Sequence, residues 1–257
     1  MLRLIPAPAS LRLCGGSFAE PSLPTACVPE ALDPRVAKAL HDLFPGLHHL
    51  ACRQAHPAIV LTSSAGPAES YRLRIAPDGI SIAAPDAPGF FYALQTLRQI
   101  RAQSDNALPG CEIEDAPVFP LRGYYLDVSR GRVPRLEMLK RRVRLLAALK
   151  INHLQLYFEH PFRFQFDPAI AGDSDAFDAD DVKSLDAFCR EHFIELVPSF
   201  TCFGHMGRIL SLPPYRHLAE VEFPAPSWEA ATWLQRLRGC TIHTRDPEAQ
   251  DLLRKIL

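Results

Sequence analysis

From Pro120 onward the chain keeps one rhythm: an apolar run short enough for a strand, then an amphipathic stretch long enough for a helix, repeated. Strands that alternate with helices in this way pair as parallel neighbours, since each helix carries the chain back over a face of the sheet. The first strand is predicted over 121–128. Pro134 opens the helix behind it, where Leu136, Leu139, Val143 and Leu146 form one apolar stripe. Lys140, Arg141, Arg142 and Arg144 largely face elsewhere, as on a solvated outer face. The second strand is predicted over 152–158, with Leu154, Leu156 and Phe158 on one side and His153, Gln155 and Tyr157 on the other. Asp178 caps the next helix, Asp180 and Asp181 suit its positive first turn, and Val182, Leu185, Phe188 and Cys189 are its expected buried face. A third strand over 193–200, a proline-rich stretch over 213–226 and a helix starting at Pro247 with Asp246 as cap complete the pattern.

The residues before this rhythm read differently. An alternating run over 70–75, the turn Pro77-Asp78-Gly79 and a second run over 80–84 predict a hairpin. A helix follows, with Pro88 near its start and Phe91, Leu94, Leu97 and Ile100 as its buried stripe. The expected organisation is α/β: a small N-terminal α+β domain over 1–117, then three to four βα units of a (β/α)8 barrel over 118–257. A closed barrel needs ~250 residues, and only about 140 of the 257 remain from Pro120. Truncation, completion by another chain, or a smaller open α/β sheet are the three readings left standing.

Composition narrows the function. With 47% hydrophobic and 22% charged residues and a net charge of −1, no basic field exists to hold nucleic acid, and a small uncharged substrate is compatible. Seven cysteines stand singly, without a CxxC pair, which fits a reducing compartment better than a disulfide framework. Prolines interrupt the N-terminal apolar residues and no run approaches ~18 apolar residues, so a cytoplasmic protein free of the membrane is expected.

In a βα barrel the chemistry sits at the C-terminal ends of the strands. Here those ends carry Asp127, Ser129 and Arg130, then Glu159 and His160, then Ser199, Thr201, Cys202 and His205. His153, His160 and His205 with Glu159 lack any HxH or HExxH spacing, so neither metal nor cofactor is expected. Cys202 and His205 lie close in sequence, an arrangement that rarely aligns a thiol with its base.

The stretches FPLRGYYLDVSRGRVP (119–134), LAALKINHLQLYFEH (146–160) and IELVPSFTCFGHM (194–206) resemble the opening of the glycoside hydrolase family 20 barrel. GFFYALQTLRQI (89–100) resembles the helix that closes the small domain preceding it. The likeness covers roughly residues 50–257, and its LQLYFEH and FGHM variants are more similar to the hexosaminidase D branch than to the lysosomal enzymes.

The resemblance implies an exo-acting β-N-acetylhexosaminidase whose partner is a glycan ending in an N-acetylhexosamine. In such enzymes the substrate's own 2-acetamido oxygen attacks the anomeric carbon while a glutamate protonates the leaving oxygen and an aspartate orients the acetamide. It implies Arg122 as the arginine that binds the sugar hydroxyls, His205 as the histidine supporting the acid glutamate, and Glu159 or His160 as its partner and a sugar contact. Gly204 is expected to allow the backbone turn that points His205 inward. Gln155, Tyr157, Ser199 and Thr201 replace polar residues usual in the family, and Trp228 and Trp233 lie too early to be its pocket tryptophans. The resemblance places the acid glutamate and orienting aspartate beyond Leu257, so this chain is expected to be inactive by itself. The competing reading is a degenerate barrel that binds carbohydrate or serves only as structure.

Overall fold

The computed structural model describes residues 2–50, 57–130, 132–172, 175–237 and 240–257. Two units form, the first from residues 1–122, 144–152 and 191–193, the second from the rest.

The first unit contains β1 (Ser10–Phe18), β2 (Thr25–Cys27), α1 (Pro34–Leu43), β3 (His48–His49), β4 (Ile59–Ser63), β5 (Tyr71–Ala76), β6 (Gly79–Ala84), α2 (Ala87–Ala102) and β7 (Leu108–Asp115). The strands make one seven-stranded sheet, β1-β7-β5-β6-β4-β2-β3. The expected hairpin is β5–β6, antiparallel with Ala76 opposite Gly79. Alternation sorts its faces: Tyr71, Leu73 and Ile75 are buried while Arg72 and Arg74 are exposed. The buried face carries α2, and α1, with Val36, Ala39, Leu40 and Leu43 buried, packs against α2.

Helix α2 departs from the expected single stripe. Every residue from Gly89 to Leu97 is buried, because the helix has β5 and β6 on one side and α1 on another. Its start is fixed by Asp86, whose Oδ1 accepts from the Gly89 amide at 2.8 Å. A Cβ on Gly89 would collide with the Ser70 carbonyl oxygen. Gly89→Ala is therefore expected to destabilise by about 1–3 kcal/mol through overpacking; an unchanged urea midpoint contradicts this.

The second unit contains β8 (Gly123–Asp127), most of α3 (Leu136–Ala148), β9 (His153–Phe158), most of α4 (Ala179–Glu191), β10 (Glu195–Phe200), α5 (Gly207–Leu210), α6 (Trp233–Leu237) and α7 (Pro247–Ile256). Its strands form a parallel three-stranded sheet, β10-β9-β8, with Gly123, His153 and Glu195 in register. Pro198, which has no N–H to donate, lies in β10 at the sheet's edge. In α3, Leu139, Val143 and Leu146 are buried and Leu136 is half-buried; in α4, Leu185 and Cys189 are buried while Val182 and Phe188 are half-buried. The third strand begins two residues later than expected, because Phe193 has a left-handed φ of 57°. Lys150, φ 59°, likewise lies two residues past the end of its helix, α3. The proline-rich stretch builds a second core, where Phe164, Ile170, Met206, Ile209, Leu218, Phe223, Ile242 and Leu252 pack together.

Cys27 is disulfide-bonded, a linkage that persists in oxidising rather than reducing compartments. Cys14, Cys111, Cys189, Cys202 and Cys240 are free thiols, and Cys52 lies outside the described residues. No described helix is long and apolar enough to cross a membrane.

Candidate functional site

Arg130, two residues past Val128, ties together the C-terminal ends of the second unit's sheet. Its Nη1 donates to Asp127, and its Nη2 donates to Glu159 Oε1 at 2.7 Å. The same Nη2 lies 3.4 Å from His205 Nδ1. A guanidinium only donates, so Nδ1 accepts and the proton of the neutral imidazole sits on Nε2. Burial by itself would lower the Arg130 pKa, but the hydrogen bond to Asp127 and the charges of Glu159 and Asp127 outweigh it and raise it.

The turns around Arg130 are built locally. Asp127 Oδ1 accepts from the amides of Ser129 at 2.8 Å and Arg130 at 3.2 Å, and Ser129 Oγ accepts from the Glu159 amide at 2.7 Å. Tyr157 donates its hydroxyl to Glu159 Oε1 at 3.2 Å. Its pKa is pushed up to about 12 by burial first and by Glu159 second. Glu159 keeps only 13% of its side chain exposed. It is also the carboxylate that faces His205, at 3.8 Å from Nδ1. His205 itself has the left-handed backbone, φ 57°, so the strain expected at Gly204 falls one residue later.

Arg122 requires a correction. It precedes β8, at the N-terminal rather than the C-terminal end of that strand. Its guanidinium donates to the carbonyls of Lys150 at 2.6 Å, Phe119 at 2.9 Å and Pro120 at 3.3 Å, and to the Tyr92 hydroxyl at 3.2 Å. It also pairs with Glu69 at 2.7 Å. With its donors engaged, Arg122 is a clamp of the first unit and offers none to a sugar. The arginine at the strand ends is Arg130, and the signal that finds it is its position just after the first strand.

His160 also goes elsewhere. Its ring lines a cleft of about 690 Å³ with Arg208, Trp228, Glu229 and Gly172, and lies 5.8 Å from the Trp228 ring. Its Nδ1 is buried without a hydrogen-bond partner. Burial, and secondarily the charge of Arg208, pushes its pKa down to about 4. Cys202 is an exposed free thiol. Among the described residues no three His, Cys, Asp or Glu side chains gather as a metal site.

Arg130, Glu159 and His205 thus offer donors and acceptors at fixed spacing on one rim of the sheet, suited to a neutral polyhydroxylated ligand. Residues 1–116 match the family "Glycosyl hydrolase family 20, domain 2". A beta-hexosaminidase of Porphyromonas gingivalis is 28% identical over 248 residues, covering 83% of this chain and 32% of that protein. The chain is similar to glycosyl hydrolase family 20 and to a beta-hexosaminidase over most of its length. Another relative, the beta-hexosaminidase of Akkermansia muciniphila, is 36% identical over 92 residues, covering 35% of this chain and 18% of that one. Among solved structures, the family 20 β-N-acetylhexosaminidase of Streptomyces coelicolor shares the fold with a TM-score of 0.81 at 23% identity. It aligns over 99% of this chain and 56% of its own. The β-hexosaminidase of Streptomyces plicatus, solved as a mutant with GlcNAc, likewise gives 0.81 at 24% identity. The chain therefore spans about a third of the P. gingivalis relative and about half of these solved chains.

Proposed function

We propose that these residues form the opening part of an exo-β-N-acetylhexosaminidase site, in which Arg130, Glu159 and His205 hold the terminal N-acetylhexosamine of a glycan. The observation that carries this reading is Arg130, whose guanidinium reaches Asp127, Glu159 and His205 from three successive βα units. Fixed donors on a guanidinium suit vicinal hydroxyls, and the Glu159 carboxylate accepts from a third.

Hydrolysis by the substrate-assisted route needs more. The acetamido oxygen forms a bond to the anomeric carbon as the glycosidic bond breaks, and a glutamate passes its proton to the departing oxygen. Water then opens the oxazolinium and returns a proton to that glutamate, while an aspartate offsets the positive charge. No Asp-Glu dipeptide follows the third strand within these 257 residues. The proposal therefore expects this chain to bind N-acetylglucosamine or N-acetylgalactosamine without releasing a chromophore from their chromogenic glycosides.

The test is ligand titration by NMR on the 257-residue protein and its Arg130→Ala variant. Losing hydrogen bonds from a charged donor at about 1.5–3 kcal/mol each is expected to weaken binding roughly tenfold or more. Equal affinity of variant and parent, or shifts confined to residues away from 127–130, 159 and 205, sinks the reading.

A further inference from the structure

Two exposed histidines of the first unit meet nitrogen to nitrogen. His41 lies in the last turn of α1 and His49 in β3. Their Nε2 atoms are 2.9 Å apart and their ring centroids 5.0 Å, with the ring planes tilted by 56°. Between two neutral imidazoles such a contact is a hydrogen bond, in which one ring donates its Nε2 proton to the lone pair of the other.

The spacing is also close to the one a metal ion imposes. At metal–nitrogen lengths of about 2.0–2.1 Å, two imidazole nitrogens on one ion lie about 2.9 Å apart at a right angle and about 3.3 Å apart at the tetrahedral angle. An ion can therefore take the place of the shared proton through small rotations of two exposed rings. The donor ring carries its proton on Nδ1 instead, and both Nε2 lone pairs face the metal.

The backbone on either side of the pair is fixed. At the end of α1, Leu43, Phe44 and Leu47 are buried, and the Phe44 amide donates to the Leu40 carbonyl at 2.9 Å. Gly46, with φ 78°, turns the chain back. The His48 amide then donates to the Pro24 carbonyl at 3.0 Å and the Leu50 amide to that of Ala26 at 2.8 Å. Strand β3 is two residues long and forms the edge of the seven-stranded sheet, so a side-chain link to α1 would brace its least supported strand. Alternation sends the neighbouring His48 to the opposite face. No third His, Cys, Asp or Glu among the described residues joins the pair, which leaves the remaining positions on an ion to water. We propose that His41 and His49 chelate a divalent transition-metal ion through their Nε2 atoms, and that the ion clips β3 to α1.

The experiment titrates the 257-residue protein with zinc(II) chloride by calorimetry at about pH 7.5, where imidazole is neutral, and follows amide exchange with and without the ion. Expected is one saturable site that takes copper(II) more tightly than zinc(II). Two fixed ligands act as a chelate, so His41→Gln or His49→Gln weakens binding by about a hundredfold. His48→Gln, one residue away on the other face, binds like the parent. All three positions are exposed, so the variants keep their fold, which circular dichroism checks. Zinc(II) is expected to slow exchange of the His48 and Leu50 amides, because an ion bound to the folded form opposes local opening. The proposal is overturned when zinc(II) gives no saturable binding, when His41→Gln and His49→Gln bind it like the parent, or when exchange at 48 and 50 is unchanged by the ion.

Discussion

Lys150→Met is expected to lower the stability of the first unit by about 3–5 kcal/mol, the range found when one partner of a buried ion pair is removed. The ammonium has 8% of its side chain exposed and donates to Asp115 Oδ2 at 2.6 Å and to the Tyr71 hydroxyl at 2.9 Å. Tyr71 in turn reaches Thr96 at 2.7 Å and Asp115 at 3.1 Å. Methionine fills the same space and leaves a carboxylate with 13% exposure that keeps the Tyr71 hydroxyl and the Ala9 amide as donors but has lost its paired cation. At about 2 kcal/mol per molar of urea, the midpoint of unfolding falls by more than 1 M on this estimate. Adding Asp115→Asn removes the stranded charge, so the double variant is expected to recover much of the loss. A single variant within about 1 kcal/mol of the parent excludes this account.

The second large effect is a loss of stability in acid that His160 controls. Burial holds its folded pKa at about 4 against an ordinary 6.5, so between those values the unfolded chain binds the extra proton. The contribution is complete above pH 6.5 and disappears as the pH falls through 4. A shift of that size amounts to about 3 kcal/mol. The imidazole lines its cleft beside Arg208, whose charge adds to the penalty, and Arg208 is paired with Glu229. Urea unfolding of parent and His160→Gln from pH 7 to pH 4 gives a difference curve that isolates this group. The expected curve rises by about 3 kcal/mol in the variant's favour toward pH 4, and a flat one contradicts the reading.

The second unit was legible because its signals are local. Period-two alternation in β9, the Asp178 and Asp246 caps and Pro134 each fix an element within a few residues. The first 50 residues carried no such signal. β1 is exposed along nearly its whole length, and its place is set by pairing with β7, about a hundred residues away. The site was half legible for a similar reason. Glu159 and His205 follow from their positions after β9 and β10, whereas the motif likeness points to Arg122 inside the predicted strand and the structure sets it just before β8. His160 follows Glu159 directly, yet its ring belongs to a cleft made by side chains around 170, 208 and 228, which no periodicity brings together.

The first unit is not an exchangeable cassette. Residues 1–116 carry the family signature, but the cation that neutralises Asp115 comes from position 150, and the ring packed 5.0 Å from Phe91 is that of Phe193. A gene fragment ending near 122 therefore encodes a fold with its keystones missing. Recombination at that boundary, however natural it looks in a sequence, is expected to give a protein that does not hold its shape.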